Sequence, residues 1–170
     1  MLKRKILGWA AVLAILATLA VRVLADSPEA VVWFTEADAE ALRLTEEDIG
    51  FLSAQSKAMP QGGPEINWIF PELSGDAGST KDKRVTFTSP SSLTIEFRKT
   101  MNEIDFDTLD VRGRKFGFSK SVTELVRPYL NGNMLAAKNV ELPKGKFLVE
   151  VEIADVDGRT TVRPFFVNSE

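Results

Sequence analysis

The chain has 170 residues, 21 Lys and Arg against 24 Asp and Glu, and neither His nor Cys. Those two absences exclude Ser-His-Asp and Cys-His catalysis, zinc held by His or Cys, haem ligation by His, and every disulfide. The formal net charge is −3, and residues 64–170 balance 16 acids against 15 bases, which argues against a nucleic-acid partner, since that needs a basic surface.

In chain order, Lys3, Arg4 and Lys5 precede an uncharged apolar run over residues 6–21, and Val23, Leu24 and Ala25 then lead into the polar Asp26-Ser27-Pro28. This is the layout of an export signal with its cleavage site. The run is short for a membrane span, which needs about 20 residues, and Arg22 closes it. Residues 1–25 are therefore expected to be a signal peptide or, if retained, an N-terminal anchor helix with its basic end in the cytoplasm. In both cases the remaining chain works in a periplasmic or other extracytoplasmic space. Removing residues 1–25 leaves 145 residues with net charge −7. That length is enough for one domain with a sizeable core.

Residues 26–63 carry eight acids and two bases. Thr35-Glu36-Ala37-Asp38 and Thr45-Glu46-Glu47-Asp48 both read as helix starts, with a capping Thr, acids in the first turn and an apolar residue just before each cap. Short helices over 36–43 and 46–56 are predicted, neither long enough to be stable alone. This acidic helical arm ends in the Pro/Gly-rich segment 59–64, a linker by composition.

The period then changes to two. Strands are predicted over 66–70, 84–88, 93–98, 109–118, 134–137, 146–155 and 160–167, with a helical turn or two over 122–130 and a hairpin turn at Asp157-Gly158. Short strands punctuated by turns, with no long helix, indicate an all-β sandwich over 64–170.

One stretch resembles a known family. Leu93-Thr94-Ile95-Glu96-Phe97, then Met101 and Asp105-Phe106-Asp107-Thr108-Leu109, is similar to bacterial Ig-like domains, as are Val126-Arg127-Pro128-Tyr129 and the run from Leu142-Pro143-Lys144-Gly145 to Asp155-Val156-Asp157-Gly158. Thr100 stands where that family usually has Pro. The resemblance covers about 64–170 and implies an Ig-like β-sandwich in an envelope setting, used as a spacer, a binding module or an accessory subunit. It implies no catalytic residue and no cofactor.

Four groups of residues are candidates for function. Val31, Val32, Trp33 and Phe34 form an apolar run that either docks on the sandwich or presents a patch to a protein partner. Arg112, Arg114 and Lys115 form the densest basic cluster, suited to an acidic partner, to the chain's own arm, or to a solvated face. Asp105, Asp107 and Asp110 in one loop, with Asp155 and Asp157 in another, suit a hard cation such as Ca2+ if the loops meet, and otherwise cap turns. Glu96, Glu150 and Glu152 are the carboxylates a glycoside hydrolase would require, but their alternation with core residues places them on an outer face. The expected function is non-enzymatic: binding or scaffolding in a cell-envelope assembly through a protein partner, with membrane contact only through residues 1–25 if these are retained.

Overall fold

The computed structural model describes residues 30–55, 62–74 and 84–170. The expected signal or anchor in residues 1–25 lies outside these. Among the described residues no helix is long and apolar enough to cross a membrane.

Two sheets stack face to face. The first holds β1 (Val31–Val32), β9 (Met134–Glu141), β5 (Ser91–Arg98) and β2 (Glu65–Phe70) in that order, with β8 (Leu130–Asn131) also on β9. The second runs β3 (Leu73–Ser74), β4 (Arg84–Phe87), β11 (Thr160–Ser169), β10 (Gly145–Asp155), β6 (Ile104–Lys115) and β7 (Phe118–Ser121). The protein is an all-β sandwich with short helices at its edge. Most strand pairs are antiparallel; β1 runs parallel to β9, and β4 parallel to β11.

Strand alternation fills the space between the sheets. Leu93, Ile95 and Phe97 from β5 meet Val149, Val151 and Ile153 from β10, all essentially inaccessible to solvent. Trp68 packs on Phe165 across the gap, ring centroids 4.9 Å apart.

Of the two readings open for Val31–Phe34, the described part of the arm fits docking on the sandwich. β1 adds to the edge of β9, and α1 (Glu36–Leu42) follows, capped by reciprocal bonds between Thr35 and Asp38. Trp33, Phe34, Ala39 and Leu42 belong to the same buried cluster as the sheet residues. Phe34 lies against Phe147, with centroids 5.7 Å apart. Gly113 makes room for it: a Cβ there would stand 2.6 Å from Phe34 Cζ and 2.8 Å from Leu42 Cδ1. The expected irregularity of β6 at Gly113 is thus a packing requirement.

The second helix, α2 (Glu46–Gln55), crosses to the outer face of the second sheet. There Leu44, Ile49 and Leu52 cover Leu148 and Phe166, which are directly opposite one another in the β10–β11 ladder. Ion pairs hold the arm in place: Glu46 with Arg84 and Lys146, Asp48 with Lys115, and Asp38 with Lys120.

Two further elements differ from expectation. The strand expected over 109–118 is the hairpin β6–β7, turning at Phe116-Gly117 with Phe116 at φ 48°. A left-handed Phe is unfavourable, so local sequence gives little warning of the turn. β9 reaches Glu141 instead of stopping near Ala137, because Asn139 at φ 52° sits where the pairing with β5 shifts register and then resumes. Between β7 and β8 the expected helical stretch is α3 (Thr123–Val126) followed by a 3-10 turn, Arg127–Tyr129.

Candidate functional site

The sequence-predicted groups are already engaged within the fold. Trp33 and Phe34 are 2 % and 1 % exposed, so they do not form a contact patch; Val31 is buried as well, and Val32 alone of the four is exposed. Burial against both sheets gains more than exposure of four adjacent apolar side chains would allow.

Arg112 and Arg114 face β10. Arg114 Nη1 donates to Glu150 Oε1 at 2.9 Å, and Arg112 donates to Glu152 Oε2 at 2.8 Å and Asp110 Oδ2 at 2.6 Å. Glu150, expected on a solvated face, is only 4 % exposed, sealed by the two guanidinium groups. Burial opposes the ionisation of Asp110, but bonds from Thr123 and Ser121 and the charge of Arg112 outweigh it and hold its carboxyl below the usual range. Lys115 joins the arm, donating to the Arg43 carbonyl at 2.7 Å and pairing with Asp48 at 3.2 Å. Of the readings open for this basic cluster, Lys115 fits contact with the chain's own arm, while Arg112 and Arg114 fit a network within the sheet.

The two Asp loops do adjoin, since Asp105 is opposite Ala154 in the β6–β10 ladder. Their carboxylates nevertheless hold their own turns. Asp105 Oδ1 accepts from the Asp107 N–H at 3.1 Å. Asp155 Oδ1 accepts from the N–H groups of Asp157 and Arg159, and its Oδ2 from Arg159 Nε at 2.9 Å. Asp157 Oδ2 takes bonds from Asn102 and Arg159. Among the described residues no group of three or more acidic side chains is placed to hold a metal ion.

An opening that the sequence did not reveal lies between the sheets, where the start of β2 faces the start of β11. It is a cavity of about 330 Å3 lined by Gly63, Pro64, Glu65, Ile66, Asn67, Thr100, Thr161 and Arg163. Register explains why polar groups line an interior position. Thr161 and Arg163 are opposite Ile153 and Val151, and directly opposed residues share a face, so both belong to the inward side of β11. The next inward residue, Phe165, restores apolar packing against Trp68. Among the described residues, the first β4 partner of β11 is Arg84, opposite Phe166.

Close contact fixes the mouth. Gly63 lies against the β10–β11 turn so tightly that a Cβ would stand 2.3 Å from the Arg159 carbonyl oxygen, and the Thr100 hydroxyl donates to the Gly63 carbonyl at 3.2 Å. Thr161 is 5 % exposed, and its hydroxyl has no hydrogen-bond partner among the described residues. A buried polar group left so costs about 1–3 kcal/mol. Arg163, partly buried on the same face, forms no ion pair among the described residues. In sequence the one signal for this site is a run, Thr160-Thr161-Val162-Arg163, that puts polar residues at the alternate positions an inward face would fill with apolar ones.

No family model and no curated protein matches this chain. Among solved structures it is similar to murine CRIg, at 11 % identity and a TM-score of 0.35, with 64 % of this chain and 98 % of that chain covered.

Proposed function

We propose that this chain is an exported, non-enzymatic binding module of Ig type, acting as an accessory subunit in a cell-envelope assembly. The Ig assignment is supported by strand order. β11-β10-β6-β7 follows the G-F-C-C′ order of such sandwiches, and β2-β5-β9 their A-B-E order. The export assignment rests on residues 1–25, the basic n-region and apolar run followed by Ala25.

The observation that carries the binding reading is the cavity at β2 and β11. The basic cluster and the Asp loops are satisfied within the fold, and the apolar run is buried. The cavity instead presents a buried hydroxyl and a guanidinium that lack partners among the described residues. A hydrolytic reading finds little there, since Glu65 is the one carboxylate among the described lining residues and glycoside hydrolysis needs two.

The test is photo-crosslinking in the native cell from a probe at Asn67, at the mouth, and from one at the exposed Lys138 on β9. A discrete adduct with one envelope protein from position 67 and none from 138 is expected. Equal labelling from both positions, or none from either, would refute binding through this face.

A further inference from the structure

We infer that the cavity between β2 and β11 is a carboxylate-binding site, with Arg163 and Thr161 as the pair that holds the ligand. The inference rests on the reading of this face as a binding face, and adds the chemistry it recognises.

Four observations lead there. First, the volume, about 330 Å3, falls in the range that small-molecule sites occupy. Second, Thr161 is almost wholly buried with its hydroxyl unsatisfied among the described residues, and it lines this space. Thr100, the other hydroxyl in the lining, is already engaged with the Gly63 carbonyl. Third, Arg163 occupies an inward position beside it. Arginines on the same sheet and in its β10–β11 turn show what such a group seeks: Arg112, Arg114 and Arg159 each hold carboxylates at 2.6–3.4 Å. A guanidinium forks around a carboxylate with two parallel N–H donors, and a neighbouring hydroxyl supplies a third. Fourth, charge sets the class of anion. The lining contributes one cation, Arg163, and one acid, Glu65, so a single carboxylate adds less uncompensated negative charge beside Glu65 than a phosphate dianion would.

An extra β-strand from a partner fits less well than a compact ligand. Pro164 interrupts the donors of β11 at this edge, and proline there discourages strand addition. The occupant is therefore either a small free acid or the terminal carboxylate of a chain that enters end-on.

The probes are acetate, the dipeptide N-acetyl-Ala-Ala with its carboxylate free, and the same dipeptide as its C-terminal amide. Each is titrated into the full chain while backbone amide resonances are followed. Saturable shifts at Gly63, Thr161 and Arg163 with the free carboxylates, and none with the amide, are expected. Arg163→Gln should weaken binding by about tenfold or more, and Thr161→Val by about threefold to tenfold, as loss of charge-assisted and neutral hydrogen bonds predicts. Arg163→Lys, keeping the charge without the fork, should fall between wild type and Arg163→Gln. Equal affinity for acetate and dipeptide identifies a free acid as the ligand type; a dipeptide preference of about tenfold identifies a chain terminus. The absence of saturable shifts, equal binding of the amide, or unchanged affinity in Arg163→Gln each overturns the inference, leaving the two polar groups to ordinary water. A cell-borne crosslink at Asn67 without carboxylate binding would remove this chemistry and keep the binding face; the reverse result would keep the site and remove the protein partner.

Discussion

Replacing Phe34 by Ala tests whether the arm is part of the core. The ring is 1 % exposed, lies 5.7 Å from Phe147 and 6.5 Å from Trp33 between centroids, and abuts Gly113. Truncation of a buried Phe costs about 3–5 kcal/mol, the lost transfer energy plus the cavity left behind. For a domain of this size, that lowers the melting temperature by roughly 10–15 °C. Urea unfolding followed by tryptophan fluorescence and by far-UV circular dichroism should show one coincident transition shifted to lower denaturant. The exposed Val32→Ala should stay within about 0.5 kcal/mol of wild type. Gly113→Ala completes the argument. Its new methyl must displace Phe34 and Leu42 atoms, at about 1–3 kcal/mol. In the Phe34→Ala background the same methyl enters vacated space, so the two changes should be non-additive by about 1–3 kcal/mol. A loss below about 1 kcal/mol for Phe34→Ala, a separate early transition for the arm, or strict additivity of the pair would refute the shared core.

Three other outcomes follow from the same packing and ion pairs. Glu150→Ala should destabilise by about 2 kcal/mol in a denaturant melt, because it leaves Arg114 without its partner and strips one of three acids from Arg112; an unchanged midpoint would show the network to be dispensable. Gly63→Ala should both lower the melting temperature and alter the amide shifts lining the cavity, since its Cβ meets backbone at 2.3 Å with no flexible side chain to yield; a silent substitution would mean the mouth is not held closed there. Acid should release the arm. Bonds from Thr35 to Asp38, from Lys146 and Arg84 to Glu46, and from the Thr45 backbone to Asp48 hold these carboxyls below their ordinary values of 3.8 and 4.5. A depressed folded value stabilises above the ordinary value and is lost as pH falls through the folded one, so stability should be flat from about pH 7 to 5 and fall below about pH 4. Amide exchange in α1 and α2 would report this; a decline already between pH 7 and 5, or none by pH 3, would contradict it.

The amino-acid sequence by itself determined the elements whose signals are local. The alternation of Phe147, Val149, Val151 and Ile153, the turn at Asp157-Gly158 and the caps at Thr35 and Thr45 all depend on residues two to four positions apart, so each was legible before any fold was known. The β-sandwich followed from their order. Local pattern could not say which face of a strand another segment would cover. Glu150 alternates like a solvent-facing residue, yet Arg112 and Arg114 close over it from β6. The apolar run at Val31–Phe34 reads the same whether buried or exposed, and only the glycine-sized space at Gly113 decides that Phe34 goes inside. Lys115 meets the arm at a carbonyl 72 residues away. The cavity is decided in the same way. Thr161 and Arg163 become its donors because the β10–β11 register turns them inward. Register is a property of pairing between distant segments, which only the tertiary structure specifies.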